Sequence, residues 1–554
     1  MDDGTTSSSL PTMPAGGTPT SGHSAQVEQE PAASEPGTRA GEHRSPGHGA
    51  GRASRGSGPW VWFPLAGVLV VQAVLSLRLV HADSAFNGEA LYLWAGHREW
   101  AHWLHGTPLP PFSAYFSGAP VIYPPLGALA DHAGGLAGAR ILSLAFMLGA
   151  TTLAWATTRR LFGPRAAFFA AALFASTGPT LHLGAFATYD ALSILLIALA
   201  AWCAIRAADR PDATGWMLTA GLTLALANAT AYSTVLFDLF VLGLAFLVAL
   251  AAHGRRAAIR SGGTLLLVTA ALVAAGLLIG GGTYLTAIND TMFAEAGRVS
   301  SLGSVLADSW SWAGLILLLA VGGVAASWAG RGGRARTGLL AVMAAAVVLG
   351  PLEEAWLHSA ATLNEHIGLG VWFAVIAAGY AADQFIAAAA AGRTRAVVCG
   401  ACVVMLAFPL SLGLSQSRVT STAWPNSASF TAILAPLVRH SDGRFLVEDP
   451  AIAEYYLGVS QWQRWSSTRN ITLPDGQSTG GPSARADVTG AGNAAAFGKY
   501  ITRRYFALVA LNFADTTPLD HRIRADLRRA GYHIVQVIPY GTGTYVVYRV
   551  QSPA

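Results

Sequence analysis

The sequence predicts a membrane-embedded all-α bundle of about eleven transmembrane helices, followed by a small α/β domain. The chain is 53% hydrophobic and only 12% charged, whereas a soluble globular domain carries roughly 25% charged residues. Apolar runs near the length of about 20 residues that spans a bilayer recur as far as residue 414. After residue 414, charges return and short strand-like segments alternate with a helical pattern.

The first 58 residues are predicted to form a disordered tail. They are rich in Ser, Gly, Pro, Thr, Ala and Glu and show no apolar periodicity, so they cannot bury enough surface to fold. The segment is too long and too polar for a signal peptide, and the first apolar run is therefore expected to remain as a helix. The predicted domains are this tail (1–58), a transmembrane domain (59–414, with a first outer loop at 81–136) and a C-terminal domain (415–554).

The transmembrane domain contains eleven apolar runs. They cover residues 60–80, 137–158, 166–186, 190–206, 214–230, 232–252, 264–286, 310–329, 337–353, 367–390 and 396–414.

Every second connection between these runs is rich in arginine, beginning with Arg159, Arg160 and Arg165. The positive-inside rule assigns such loops to the cytoplasm. The sequence therefore predicts a multi-pass plasma-membrane protein with a cytoplasmic N-terminus and an extracytoplasmic C-terminal domain. Lys499 is the only lysine, which indicates high-GC bacterial coding. No basic stripe with interleaved aromatics is present, so nucleic acid is not an expected partner.

The outer loops and the C-terminal domain carry local signals of their own. The tryptophan- and histidine-rich part of the first loop predicts a helix lying in the membrane interface. Beyond residue 414, the segments predict strand–helix–strand units and a closing hairpin around Gly541-Thr542-Gly543. The Gly-, Ser- and Thr-rich stretch 465–495 predicts a mobile loop.

Three carboxylates are candidate catalytic residues because they fall at the outer membrane edge. Asp83 and Glu89 follow the first apolar run, and Asp190 begins the fourth. Acids at such positions are costly and are usually retained for function. Carboxylates from two helices over one cleft can act as a general base and an electrostatic partner. Asp83 and Asp190 could also hold a divalent cation; helix caps and solvent-facing positions remain the structural alternatives.

Other side chains are candidate substrate-binding groups. Arg140 lies in an apolar run, where it needs a partner: a phosphate, a carboxylate ligand or an acidic loop residue. Tyr123 precedes two prolines that preset a rigid connector, and it could also line the cleft. Acids and histidines gather around the last outer loop without a closed metal-ligand spacing. The full set of candidates is Tyr123, Arg140, Tyr189, His358 and His366.

Residues 83–206 resemble the polytopic GT-C glycosyltransferases, in the family-39-like branch of protein O-mannosyltransferases and lipid A aminoarabinose transferases. The resemblance is carried by FNGEALYLWAGH, by YPPLGALADHAGGLAGARILSL and by GAFATYDALSILL. A weaker likeness covers 353–383. The resemblance of residues 83–206 implies a GT-C-like bundle. It also implies an enzyme that moves a sugar from a polyprenyl-phosphate donor to a lipid, glycan or protein acceptor, usually with inversion of the anomeric configuration. One carboxylate would take the acceptor's proton while an arginine or a cation stabilises the departing phosphate.

Two positions depart from the pattern of this branch. Relatives read Asp-Glu where this chain reads Gly88-Glu89, and the missing aspartate is their presumed base. Either Asp83 or Glu89 substitutes for it, or the transfer activity is lost. Relatives also tend to carry a lysine where this chain has Glu365, which would remove a phosphate-binding cation.

The sequence favours an outer-face glycosyltransferase, and two alternatives remain. One is a non-catalytic protein that binds or assembles lipid-linked glycans on the same scaffold, for which Gly88 is the main support. The other is a transporter, which is disfavoured because the two halves show no matching pair of Gly/Pro-broken helices. No P-loop, GxSxG or strand-linked GxGxxG motif is present.

Overall fold

The computed structural model of the protein describes residues 62–550. The ranges not described within it are 115, 210–213, 294–299, 331–332, 359, 361, 391–394, 422–423, 459–461, 469–490, 515–516 and 542. The predicted disordered tail (1–58) lies outside the described residues.

Thirteen helices build the membrane part of the described chain. They are α1 (Phe63–Val80), α2 (Asn87–His105), α3 (Tyr123–Phe162), α4 (Pro164–Ser176), α5 (Gly178–Leu183), α6 (Tyr189–Ala207), α7 (Thr214–Thr230), α8 (Asp238–His253), α9 (Arg255–Phe293), α10 (Leu302–Ala329), α11 (Arg334–Leu357), α12 (Leu363–Ala390) and α13 (Arg395–Ser421). Among the described residues, nine helical segments are long and apolar enough to cross a membrane: α1, α3, α6, α8 with the 3-10 turn before it, and α9 to α13.

Two of the eleven predicted runs do not form helices long enough to cross a membrane. The run 166–186 is divided between α4 and α5 because Pro179 is at the start of a new helix and has no N–H for the preceding one. The run 214–230 forms α7, whose 17 residues fall just below a full span. The all-helical bundle is confirmed, and the difference in count comes from these two segments.

Helix α3 begins earlier than the sequence predicted. The segment read as a rigid connector is its first turn, with Pro124 and Pro125 at positions where a missing N–H costs nothing. The helix is kinked at Gly134 and Gly135, and Gly135 has a φ of 63°, which favours glycine. The kink separates the first turns from the apolar span that carries Arg140.

Helix α12 forms the centre of the bundle. Every residue from 366 to 380 is buried, as expected for a helix that is apolar on all sides. It packs against α4, α10 and α11, and the Trp372 indole donates to the Ala150 carbonyl of α3 at 3.0 Å. By contrast, only 11% of the most apolar 18-residue segment is buried in α9 and in α13. These two helices therefore lie at the outer edge of the bundle, where a membrane protein faces lipid.

The connections separate into two ends of the bundle. At one end, Arg160 in the last turn of α3 and Arg206 in the last turn of α6 both pair with Asp209. At the other end, the loop after α1 contacts the C-terminal domain, where the Trp424 indole donates to the Ser84 carbonyl at 3.1 Å. Arg160 and Arg206 therefore lie at the end of the bundle away from the C-terminal domain.

The C-terminal domain is a mixed five-stranded sheet with helices on both faces. Its elements are α14 (Ala428–Arg439), β1 (Arg444–Val447), α15 (Ala451–Leu457), β2 (Trp465–Ser467), α16 (Ala491–Thr502), β3 (Phe506–Leu511), α17 (Thr517–Arg529), β4 (Tyr532–Tyr540) and β5 (Gly543–Val550). The strand order is β2-β1-β3-β5-β4. Strand β1 pairs in parallel with β2 and β3, and β5 is antiparallel to β3 and β4. The predicted hairpin at Gly541 to Gly543 is confirmed.

Alternate residues of the strands supply two separate hydrophobic layers. One layer packs under α14 and α15, and the other under α16 and α17. The predicted mobile loop 465–495 is shorter than expected, since its first residues form β2 and its last residues form the start of α16. Residues 469–490 lie outside the described chain.

Candidate active site

The predicted acid Glu89 and the predicted cation Arg140 form a buried ion pair. Arg140 Nε donates to Glu89 Oε1 at 2.8 Å, and its Nη2 donates to Glu89 Oε2 at 2.7 Å. Both side chains are 0% exposed. Two parallel charge-assisted bonds are the strongest arrangement available to an arginine and a carboxylate. The pair therefore joins the start of α2 to the middle of α3.

The remaining donors of Arg140 bind the loop that follows α1. Its Nη1 donates to the Val80 carbonyl at 2.7 Å and to the Asp83 carbonyl at 3.0 Å. Its Nη2 also donates to the Ser84 carbonyl at 3.3 Å. All five N–H groups of the guanidinium are thus engaged by the protein. Of the two roles that the sequence left open for Arg140, the structure shows the one in which it braces the acidic loop.

The carboxylate of Glu89 is equally occupied. Besides Arg140, it accepts the Ala187 N–H at 2.7 Å and the Phe86 N–H at 3.4 Å. Four donors therefore engage the two oxygens of a carboxyl group that has no exposed surface. Glu89, one of the three predicted catalytic acids, is thus held by protein groups that join the starts of α2 and α6, and neither of its oxygens is left open to a substrate.

Asp190 lies in the first turn of α6 beside three tyrosines. The Tyr189 and Tyr92 rings are 5.0 Å apart, and the Tyr92 and Tyr123 rings are 6.2 Å apart. We call Tyr92, Tyr123 and Tyr189 the tyrosine cluster. Asp190 is 6% exposed, and its charge acts on the hydroxyls of Tyr92 and Tyr123. Burial, followed by the charges of Tyr189 and Asp190, raises the pKa of Tyr92 well above its usual value, so the phenol stays protonated.

His366 is the histidine beside Asp190. Its charge and that of Asp190 interact, and its Nδ1 lies 3.2 Å from Glu353 Oε2 and 3.1 Å from Glu354 Oε1. The Thr362 hydroxyl also donates to Glu354. The structure therefore brings together Asp190, His366 and the acids of the last predicted outer loop.

His358 is set apart from this group. It ends α11 in the left-handed conformation with a φ of 51°. Its Nδ1 lies 3.2 Å from the Trp356 carbonyl, and its own carbonyl accepts the Ser300 N–H at 2.9 Å. Its described contacts are with neighbouring loops rather than with Asp190 or the tyrosine cluster.

Asp83 lies on the C-terminal-domain side of the ion pair. Its Oδ1 accepts the Ser84 N–H at 2.7 Å. Burial, followed by the charges of Asp449 and Asp83, raises the pKa of the Tyr540 hydroxyl above its usual value. The charge of Asp83 thus acts on the C-terminal domain, whereas the charge of Asp190 acts on the tyrosine cluster. Glu89 lies between these two acids, because its charge acts on both Tyr123 and Tyr456.

The C-terminal domain supplies site residues that the sequence did not single out. Tyr456 accepts the Ala85 N–H at 2.8 Å, and Ser84 Oγ accepts the Ser427 N–H at 2.8 Å. The Trp424 ring packs against the Phe86 ring in a tilted contact, with ring centroids 5.1 Å apart. The loop 81–86 is therefore held by Arg140 on the bundle side and by Trp424, Ser427 and Tyr456 on the side of the C-terminal domain. Paired tyrosines within PAIAEYYLG were the available signal, but their partners are more than 300 residues away.

The described residues offer no cluster of metal ligands and little room for a side chain at Gly88. No group of three or more His, Cys, Asp or Glu side chains within the described residues could hold a metal ion. At Gly88, an added Cβ would lie 2.7 Å from Cε2 of Phe86. An aspartate at that position would therefore require the Phe86 ring to shift.

Comparisons with known proteins agree with this architecture. A family model described as dolichyl-phosphate-mannose-protein mannosyltransferase (PMT_2) matches residues 129–279, which include Arg140 and Asp190. No curated protein matches the sequence significantly.

Three solved structures share the fold. ArnT from Cupriavidus metallidurans, bound to undecaprenyl phosphate, has 16% identity and a TM-score of 0.58, covering 87% of this chain and 97% of ArnT. The Archaeoglobus fulgidus oligosaccharyltransferase tethered with an acceptor peptide has 14% identity and a TM-score of 0.51, covering 89% and 75%. The arabinofuranosyltransferase AftD from mycobacteria has 15% identity and a TM-score of 0.51, covering 88% and 40%. This chain thus spans less than half of AftD.

The apolar helices indicate a multi-pass membrane protein, and its fold is shared with three solved glycosyltransferases. The GT-C-like fold that the sequence resemblance predicted is confirmed, and the PMT_2 model matches the segment that carries Arg140 and Asp190. At identities of 14–16% the structural likeness establishes the fold, so the sugar, the donor and the acceptor must be argued from the site.

Proposed function

We propose that the protein transfers a sugar from a polyprenyl-phosphate donor to an acceptor hydroxyl at the extracytoplasmic face of the plasma membrane. The observation that carries the proposal is Asp190, a carboxylate that is 6% exposed beside the tyrosine cluster and next to a fixed Glu89–Arg140 pair. The family match covers this segment, and the neighbour ArnT was crystallised with undecaprenyl phosphate. The alternating arginine-rich loops support the orientation.

Asp190 is the group best suited to act as general base. Glu89 already accepts four hydrogen bonds, and position 88 has no side chain. In the reaction, the acceptor oxygen attacks the anomeric carbon and the bond to the phosphate breaks. The acceptor proton passes to Asp190, and polyprenyl phosphate leaves with inversion. Asp83, which belongs to the loop fixed by Arg140, is the second candidate for this role.

The departing phosphate needs positive charge that Arg140 does not supply, because its donors are filled by the protein. His366 is the charged group that acts on Asp190 from α12, and we assign it the phosphate side of the site. Glu365 replaces the lysine expected next to it. A soluble divalent cation would be the alternative source of this positive charge. A chelator distinguishes the two, because transfer would depend on added metal only in the second case.

The test is transfer by the purified protein from radiolabelled polyprenyl-phosphate sugars to a membrane extract of its own host. Asp190→Asn is expected to lower the rate at least about 100-fold, the usual contribution of a general base, without a change in thermal stability. Asp308→Asn is the matched control because Asp308 is exposed at the start of α10. Asp83→Asn separates the two candidate bases. Unchanged transfer by Asp190→Asn would refute its assignment as the base.

The second candidate function is a non-catalytic protein that binds or assembles lipid-linked glycans. It is favoured by Gly88, which lacks the carboxylate of the family pattern, and by the full occupation of Glu89. In that case the labelled donor binds to the purified protein but no product forms with any acceptor fraction. A Gly88→Asp variant that gains transfer would further support this reading.

A further inference from the structure

The face of the C-terminal domain formed by α16 and α17 is strongly basic. Between residues 499 and 529 the chain has seven arginine and lysine residues against three aspartates. On α17, every fourth position from Leu519 to Leu527 is buried against the sheet, which turns the intervening arginines to solvent. Exposed basic side chains on this surface, which we call the distal face, are Lys499, Arg503, Arg504, Arg522, Arg528 and Arg529.

The distal face points away from the membrane bundle. The opposite side of the sheet carries α14 and α15, and α15 is the helix that packs on α2. There the Tyr455 hydroxyl donates to Asp131 Oδ1 of α3 at 2.7 Å. Because α16 and α17 lie beyond the sheet, their charges are directed to the aqueous side rather than to the lipid headgroups beside the bundle.

A groove of about 500 Å³ runs between the two helices. Its small residues are Ala495, Gly498 and Ala525, and its polar walls are formed by Thr502, Arg522, Asp526 and Arg529. Asp526 Oδ1 binds Arg529 Nη1 at 2.9 Å, and that arginine side chain is still 78% exposed. A side chain at Gly498 would lie 3.0 Å from Asp526 Oδ2, so glycine keeps the groove open.

The distal face lacks the features of a protein or nucleic-acid interface. Within the described part of 495–530, no large apolar side chain is exposed. The aromatic rings of Tyr500, Tyr505 and Phe506 instead pack against one another in tilted and edge-to-face contacts. Protein hot spots and single-stranded nucleic-acid sites both depend on exposed aromatic groups, whereas arginine alone suits repeated carboxylates or phosphates.

We propose that the distal face binds an anionic polysaccharide, a sugar polymer carrying carboxylate or phosphate groups, with a charged segment lying along the groove past Arg522 and Arg529. The inference concerns binding alone and does not depend on sugar transfer. Since the contacts are exposed charge pairs, binding weakens as salt screens them.

Full-length protein in neutral-lipid nanodiscs is titrated with polygalacturonate and with phosphomannan at low and at moderate salt. At least one polymer is expected to bind, and Arg522→Gln/Arg529→Gln raises its Kd about tenfold. Lys499→Gln/Arg503→Gln is a second variant at the groove's edge. Arg439→Gln/Arg549→Gln is the matched control: it removes the same charge from exposed positions on the other side of the sheet.

Each outcome decides the inference. The inference is supported by salt-dependent binding that every folded distal-face variant weakens and the control variant does not, and it is overturned if a folded distal-face variant binds like the wild type. The proposal is overturned if neither polymer binds, if neutral dextran competes equally, or if the control variant weakens binding as much. It is also overturned if the distal-face arginines instead mediate binding to phosphatidylglycerol vesicles.

Discussion

The Glu89–Arg140 pair provides the most direct test of how this site is held together. In Glu89→Gln the amide can still accept the Ala187 N–H, but Arg140 keeps its charge at 0% exposure without a counter-ion. Breaking a buried pair from one side costs about 3–5 kcal/mol. We expect the apparent unfolding temperature of the detergent-solubilised protein to fall by about 5 °C or more.

The double variant Glu89→Gln/Arg140→Met is expected to recover part of this loss, because no unpaired charge then remains. Recovery is incomplete since the carbonyls of Val80, Asp83 and Ser84 lose their donors. Arg160→Gln is the control: Arg160 is 51% exposed and Asp209 keeps Arg206, so the cost is below about 1 kcal/mol. If Glu89→Gln abolished transfer while unfolding at the wild-type temperature, Glu89 would be a chemical participant and the structural reasoning would be refuted.

Three further predictions concern the contacts around the site. Burial raises the pKa of Glu454 to about 8. The protonated carboxyl therefore contributes its full stabilisation of the folded state below about pH 4.5, and this contribution is lost as the pH rises through about 8. The unfolding temperature of the wild type should accordingly fall more steeply between pH 5 and 8.5 than that of Glu454→Gln. Tyr456→Phe removes the acceptor of the Ala85 N–H and should cost about 1–3 kcal/mol, measured as faster limited proteolysis between the bundle and the C-terminal domain. A Cβ at Gly96 would lie 1.9 Å from the Pro124 carbonyl, whereas one at Gly67 meets nothing within 4 Å, so Gly96→Ala should lower the unfolding temperature and Gly67→Ala should not.

The candidate site was predictable in its membership and less so in its roles. Acidic and cationic residues in apolar surroundings are conspicuous because they are costly there, so Glu89, Arg140 and Asp190 could be named from the sequence. The sequence did not predict which of these residues form an ion pair, because Glu89 and Arg140 lie 51 positions apart in the chain. The pairing leaves Asp190 as the best candidate base, an assignment that remains a prediction.

The sequence by itself determined the all-helical membrane bundle and the C-terminal sheet with its hairpin, since both follow from local apolar periodicity and turn residues. Only the tertiary structure decided that the loop after α1 is fixed between Arg140 and the residues Trp424, Ser427 and Tyr456. Such contacts depend on backbone carbonyls and on the register of packed helices, which no local pattern of side chains encodes.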